Sequence, residues 1–175
     1  MTMARKKDDR VLVYHGTSLP IALEIASCGA LLSPFERELS HFRRVQSCSG
    51  IDISAINHGR SIEDLARTFA EGIYRSHERF RASTVSVARD YGTALGYAVP
   101  HDAFEGGIVL GIKMREKELD LCSQGSGRGI YYVQSRLDLA DRLDVVYFSS
   151  KARMKRSLIV EKFAKYAPRF LDLCD

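Results

Sequence analysis

The residues of this chain with the clearest chemical potential follow a short apolar segment near its start. Residues 11–14 are apolar and β-prone, which predicts a strand. A helix is predicted to begin soon afterwards, so the intervening side chains lie between a strand end and the free N–H groups of a helix start. Those side chains belong to His15, Gly16, Thr17 and Ser18. An imidazole, a bare glycine backbone and two hydroxyls at such a point suit a ligand rich in phosphate and ribose oxygens.

Hydroxyl side chains also cluster where a second predicted strand leads into a helix. β-Branched residues predict the strand over 84–87. The helix is expected over 90–98, because Pro100 disfavours the helical conformation in the residue before it. The hydroxyls belong to Ser83, Thr84 and Ser86, and the helix carries the rings of Tyr91 and Tyr97.

A carboxylate stands at the beginning of a late predicted strand. Residues 143–148 are mostly apolar, and Asp144 is the second of them. A carboxylate beside a sugar stabilises the positive charge that develops when a glycosidic bond breaks. An aspartate near the start of a strand is also a common turn residue, so both roles stay open at this point.

In this order the three segments resemble the signature of the ADP-ribosyltransferase superfamily. The similarity is to the histidine–tyrosine–glutamate branch, which includes diphtheria-toxin-like and poly-ADP-ribose-polymerase-like enzymes. Besides the hydroxyl-rich strand and its helix, the matching pieces are Tyr-His-Gly-Thr-Ser at 14–18, Gly-Gly-Ile-Val-Leu at 106–110, and an acidic residue before Val-Val-Tyr at 145–147. The resemblance implies an α+β fold, a split and twisted β-sandwich with flanking helices, which holds NAD in a cleft between two sheets.

The resemblance also implies how individual residues contact NAD. His15 would hydrogen-bond a ribose hydroxyl, and the main chain of Gly16 would bind the nicotinamide carboxamide, where a larger side chain would collide. No ring stands near residues 84–86, where this branch has its tyrosine, so Tyr91 or Tyr97 would stack on the nicotinamide. The other expected cofactor contacts come from Thr17, Ser83, Thr84 and Ser86.

By the same resemblance, His15 and Asp144 are the expected catalytic residues. The family supplies a glutamate at the second position, whereas this chain offers an aspartate that is one methylene shorter. If the alignment slips by one residue, Leu143 takes that position and the carboxylate is lost. The assignment requires that the side chains of His15 and Asp144 border one cleft.

The sequence therefore predicts an NAD-dependent mono-ADP-ribosyltransferase, whose acceptor is a protein, a nucleic acid or a small molecule. One alternative is an RNA 2′-phosphotransferase that uses NAD, which needs several arginines around the phosphate. The arginines considered for that role are Arg43, Arg44, Arg79 and Arg81. Another alternative is a non-catalytic module that binds an NAD-like ligand or a partner, since the usual tyrosine and glutamate are both missing.

The composition fits one domain with a hydrophobic core. The chain has 175 residues, 45% of them hydrophobic, and a net charge of +4. We expect residues 1–10 to be a disordered charged leader and residues 11–175 to form a single domain. No apolar run approaches the roughly 18 residues of a membrane helix, and the four cysteines have neither metal-site nor disulfide spacing. A cytoplasmic protein without a membrane partner or a bound metal is therefore expected.

Two further helices are predicted from caps and periodicity. Pro20 and Gly29 suit the first turn and the end of a helix that follows the first strand. Ser61, with Asp64 three residues later, suits the start of another. The expected core residues of that second helix are Ile62, Leu65, Ala66, Phe69 and Ile73.

The remaining segments are assigned from composition. Residues 33–60 are polar and contain breakers, which predicts a long irregular excursion. Apolar runs predict strands over 107–114 and 130–133. A final amphipathic helix is expected over 157–171, interrupted at Pro168.

Overall fold

A computed structural model of the chain describes residues 9–102, 104–120, 122–125 and 129–173. The predicted leader therefore lies outside the described residues, apart from its last two. The strands are β1 (Arg10–Ser18), β2 (Ala30–Leu32), β3 (Val85–Ala88), β4 (Gly107–Arg115), β5 (Ser123–Gly125), β6 (Ile130–Val133), β7 (Arg136–Asp138), β8 (Leu143–Phe148) and β9 (Arg169–Asp172). The α-helices are α1 (Leu19–Cys28), α2 (Pro34–Ser49), α3 (Ile53–Ile56), α4 (Ile62–Gly72), α5 (Tyr91–Asp102), α6 (Glu116–Asp120), α7 (Ser150–Arg153) and α8 (Arg156–Phe163). Two 3-10 helices cover Ser76–Ser83 and Ala164–Tyr166.

Seven of the strands form one sheet in the order β5-β6-β3-β1-β4-β8-β9, and β2 pairs with β7 in a separate two-stranded sheet. Neighbouring strands are antiparallel except for β8 and β9, which are parallel. The fold is therefore mixed α+β with a mostly antiparallel sheet, which confirms the predicted fold class at this level. Across the described part of the chain, no helix is long and apolar enough to cross a membrane.

The seven-stranded sheet almost separates between β1 and β3. β1 pairs with β4 along nine residues, whereas it pairs with β3 only at Tyr14 and Ala88. In a continuous antiparallel ladder Gly16 would lie opposite Ser86, but the two strands have diverged by that point. β1 continues through His15 as far as Ser18, four residues beyond its predicted end. The divergence opens the space between the two strands.

Apolar side chains cover both faces of the central strands. On one face α1 and α8 pack against the sheet, and on the other α5 lies against β1 and β4. The largest buried side chains on the first face include Leu110, Phe148, Ile159 and Phe163. The contact with α5 is close, because a methyl group at Gly16 would come within 1.9 Å of the carbonyl oxygen of Ala94.

Residues 33–60 are largely helical, which corrects the prediction of an irregular excursion. α2 begins after Ser33, whose hydroxyl accepts a hydrogen bond from the Glu36 N–H at 3.2 Å, and it ends at Gly50 in the left-handed conformation. These are ordinary helix-start and helix-stop signals. Within α2, all of which is described, Leu39 alone is buried, so its apolar periodicity is too weak to indicate a helix.

The helix predicted to follow Ser61 is confirmed as α4, and the Ser61 hydroxyl accepts a hydrogen bond from the Asp64 N–H at 3.0 Å. Two of its predicted core residues are not in the core, since Phe69 is 60% exposed and Ile73 is 70% exposed. That prediction was wrong because α4 packs mainly against α2 and not against the sheet. The ring of Phe69 contacts the ring of Phe42 on α2, with centroids 5.5 Å apart.

Two prolines behave differently from the prediction. α5 continues past Pro100 and ends at Asp102, and both Pro100 and Gly96 lie on the exposed side of the helix. The chain after Pro168 forms β9, paired with β8, and not a continued helix. Pro168 lies just before an edge strand, a position where a missing N–H costs no ladder hydrogen bond.

The close packing of α5 on the sheet predicts opposite effects for two glycines. A methyl group at Gly107 would come within 2.2 Å of the Ala98 carbonyl oxygen, whereas one at Gly96 would meet nothing within 4 Å. We expect Gly107→Ala to lower the free energy of unfolding by about 1–3 kcal/mol. Gly96→Ala, within α5 itself, should raise it by about 0.5–1 kcal/mol. Urea unfolding of both variants checks this, and equal effects would contradict the described packing.

Candidate functional site

The divergence of β1 from β3 opens a cleft with two lobes that share part of their lining, each with a volume of about 190 Å³. Residues that line both lobes are His15, Gly16, Tyr74, Ser86 and Tyr97. The first lobe extends toward α1 and α2, and its further lining includes Thr17, Ile25, Leu31, Arg37, Thr84 and His101. The second lobe extends toward β6, and its further lining includes Tyr14, Arg81, Ala94 and Ile130.

His15 bridges the two strands at the junction of the lobes. Its Nδ1–H donates a hydrogen bond to the carbonyl oxygen of Ser86 at 2.8 Å. Burial lowers the pKa of His15 below its usual value, the hydrogen bond to Ser86 opposes this shift, and the charge of Arg37 lowers the pKa further. The imidazole is therefore neutral near pH 7, and its Nε2 is a hydrogen-bond acceptor.

The structure brings most of the predicted cofactor contacts to this cleft. Gly16, Thr17, Thr84 and Ser86 join His15 in its lining. Gly16 faces α5, where the Ala94 carbonyl leaves no room for a side chain. Of the two rings predicted to stack on a ligand, Tyr97 lines both lobes and is 47% exposed.

Two predicted contacts lie elsewhere. The ring of Tyr91 packs against Tyr14 and Tyr147, with centroids 5.7 Å and 4.9 Å away. The hydroxyl of Ser83 donates a hydrogen bond to the Phe80 carbonyl at 3.1 Å, on the exposed side of its 3-10 helix. Neither residue lines the cleft, which corrects their predicted placement.

Asp144 is engaged by two cations outside the cleft. Its carboxylate accepts a hydrogen bond from Lys113 Nζ at 2.6 Å and also forms an ion pair with the guanidinium of Arg169. The hydrogen bond from Lys113, together with Arg169, holds the pKa of Asp144 below its usual range. These contacts join β8 to β4 on one side and to β9 on the other, so the carboxylate serves to hold the sheet together.

The pleat of the sheet puts His15 and Asp144 on opposite faces. His15 lies opposite Leu110 of β4, and Leu110 lies opposite Val146 of β8. Directly opposed residues share a face, and successive residues of a strand alternate. Lys113 is three positions from Leu110 and therefore points to the other face, where it meets Asp144. The prediction that His15 and Asp144 border one cleft is wrong.

The sequence analysis missed several cleft residues. One lies in a helix that was expected to be irregular chain, one follows the end of a helix, and one lies beyond the predicted end of a helix. Arg37 lies in the first turn of α2, and Tyr74 follows α4. The helix-start signal at Ser33 was the one clue to the position of Arg37. His101, near the end of α5, lay beyond the predicted end of that helix.

Of the four arginines considered for binding a phosphate, Arg81 lines the cleft. Its guanidinium lies over the rings of Tyr74 and Tyr132, 5.2 Å and 5.6 Å from their centroids, and contacts Glu78 at 3.2 Å. Arg43 instead pairs with Glu63 at 3.0 Å on the surface. Two rings and the carboxylate of Glu78 therefore surround the guanidinium of Arg81.

The lining of the cleft is cationic. Among the described residues that line its two lobes none is acidic, whereas Arg37 and Arg81 each bring a positive charge. Glu24, 3.7 Å from the Nε of Arg37, and Glu78, 3.2 Å from the guanidinium of Arg81, offset part of that charge from outside the lining. In the described ranges no three His, Cys, Asp or Glu side chains are grouped to hold a metal ion. The arrangement suits an anionic ligand with hydroxyl groups.

No protein-family model matches the chain, and no curated protein or solved structure matches it either. An inference about function therefore rests on the chemistry of the cleft.

The ion pairs of Asp144 predict a pH-dependent stability. A carboxyl group whose pKa is lowered by folding stabilises the fold above its unfolded pKa, and this contribution is lost as pH falls through the folded pKa. We expect Asp144→Asn to lower the free energy of unfolding at pH 7 on the order of 1 kcal/mol. The difference should shrink as the pH falls below about 4. Urea unfolding across this pH range measures it, and a deficit that persists unchanged in acid would contradict the assigned ion pairs.

Proposed function

We propose that this protein is an NAD-dependent mono-ADP-ribosyltransferase that binds NAD in the cleft between β1 and β3. The observation that carries the proposal is the bridge from His15 to Ser86, which presents a neutral imidazole at the junction of the two lobes. The near separation of the sheet at this point fits the split β-sandwich that the resemblance to ADP-ribosyltransferases implies. The acceptor Nε2 fits a ribose hydroxyl, which donates a hydrogen bond.

The other cleft residues have complementary roles in this proposal. The main chain of Gly16 binds the nicotinamide carboxamide, and the ring of Tyr97 stacks on the nicotinamide. Arg37 lines the first lobe together with His15, so it is the cation available there to a diphosphate beside the ribose. A guanidinium pairs with phosphate oxygens through two parallel hydrogen bonds.

A second candidate function is a non-catalytic module that binds NAD or a similar nucleotide. The observation that favours it is the absence of acidic side chains from the described lining of the cleft. Asp144, the expected catalytic carboxylate, is engaged by Lys113 and Arg169 outside that lining. In this case NAD would bind without cleavage of its nicotinamide–ribose bond.

His15→Asn tests the role of the imidazole. The asparagine amide can replace the Nδ1–H donor to Ser86, but it has no hydrogen-bond acceptor at the position of Nε2. We expect the affinity for NAD, measured by calorimetry, to fall about 10-fold, and nicotinamide release, measured by chromatography, to be lost. Asp144→Asn is the matched control, because its carboxylate lies outside the cleft, and its NAD affinity should equal that of the natural chain.

The same measurements separate the two candidate functions. Release of nicotinamide by the natural chain supports the transferase. Binding of NAD without release supports the non-catalytic module. If the natural chain does not bind NAD, both candidates are rejected.

A further inference from the structure

We propose that His101 is the general base of the reaction, the group that takes the proton from the attacking oxygen; this inference rests on the proposed cleavage of NAD. A nucleophile such as water or a hydroxyl group gains a bond to the ribose carbon and has to give up a proton. A carboxylate commonly receives that proton when a glycosidic bond is cleaved. The described lining of the cleft contains no acidic side chain, so another group has to take this role.

His101 has a defined place in the first lobe. It lies on α5 four residues after Tyr97, so the two side chains project from the same face of the helix, one turn apart. Tyr97 stands next to β1, because a methyl group at Gly16 would come within 3.1 Å of its Cβ. Tyr97 lines both lobes, whereas His101 lines the first lobe and not the second. The imidazole of His101 is therefore on the first-lobe side of the junction at which His15 is proposed to bind the ribose.

The attacking oxygen is expected on that same side. With Arg37 bound to the diphosphate in the first lobe, the nicotinamide extends into the second lobe. A nucleophile that inverts the ribose carbon approaches it from the side opposite the leaving group. The oxygen therefore arrives from the first lobe, where His101 and Arg37 are both part of the lining.

The other titratable groups of the lining fit this role less well. The imidazole of His15 is engaged through Nδ1 with Ser86, and burial lowers its pKa, so it is a weak proton acceptor. Burial raises the pKa of the Tyr14 and Tyr74 hydroxyls, so both keep their protons at neutral pH. The ring of Tyr97 is already assigned to the nicotinamide. The remaining imidazole of the lining is the kind of side chain that exchanges a proton near pH 7.

The reaction step conserves atoms and charge. An oxygen of water, or of a hydroxyl acceptor, forms a bond to the ribose carbon that carries nicotinamide. The bond from this carbon to the nicotinamide nitrogen breaks, and nicotinamide leaves as a neutral ring with the bonding electrons. The proton of the oxygen passes to the unprotonated ring nitrogen of His101. The imidazolium lies in the lobe assigned to the diphosphate, whose negative charge stabilises it, and the partly exposed ring returns the proton to solvent.

The test compares two nucleophiles that differ in their need for a base. The full chain is incubated with NAD in buffer with and without sodium azide, and ADP-ribose and ADP-ribosyl azide are separated by chromatography. Azide is an anion and forms its bond without losing a proton. In His101→Gln we expect hydrolysis to fall about 100-fold, while the azide product forms at the natural rate. The ratio of azide product to ADP-ribose should therefore rise by the same factor.

Two further variants accompany His101→Gln. His101→Glu puts a different proton acceptor at the same position and should recover part of the hydrolysis. His77→Gln removes an exposed imidazole that lies outside the lining of the cleft, so its product ratio should equal that of the natural chain. The NAD affinity of His101→Gln, measured by calorimetry, should match that of the natural chain, which excludes a general loss of the fold.

The other outcomes count against particular steps. An unchanged product ratio in His101→Gln overturns the inference. An equal loss of both products overturns it too, because that pattern belongs to a residue that positions NAD. A natural chain that forms the azide product without ADP-ribose also overturns it. In each of these cases, release of nicotinamide by the natural chain still supports the proposed function. If the natural chain binds NAD but forms neither product, the general base is rejected together with the transferase.

Discussion

The hydrogen bond between His15 and Ser86 is the contact on which the cleft depends. Antiparallel strands that pair at one residue normally continue to pair, because a backbone carbonyl left without a partner costs free energy. The imidazole satisfies the Ser86 carbonyl and leaves the ladder open. The ring therefore takes the place of a ladder hydrogen bond between β1 and β3. The same residue lines both lobes of the cleft.

The second constraint is the contact of α5 with the sheet. The carbonyls of Ala94 and Ala98, one helical turn apart, lie against Gly16 of β1 and Gly107 of β4. Two glycines on neighbouring strands let the helix approach closely enough to form a wall of the cleft. Tyr97 lies between these two contacts in sequence and lines both lobes.

The fold was predictable from the sequence where local signals were strong. β6 and β8 begin and end as predicted, because their apolar runs are short and clearly bounded, and α4 begins at the predicted cap. α2 was missed because one buried residue gives no helical period. Its absence from the prediction also removed Arg37 from the expected site, since the position of that side chain depends on how α2 packs beside the sheet.

The site was predictable where it follows directly from a strand end, as for His15, and not where it depends on register. Asp144 contacts Lys113 because the pairing of β4 with β8 shifts register between Gly111 and Ile112. No sequence pattern indicates such a shift. Turning β8 by one residue would bring the carboxylate to the face of His15, but it would also move Phe148 out of the core. Burial of β8 thus keeps the carboxylate of Asp144 out of the lining of the cleft.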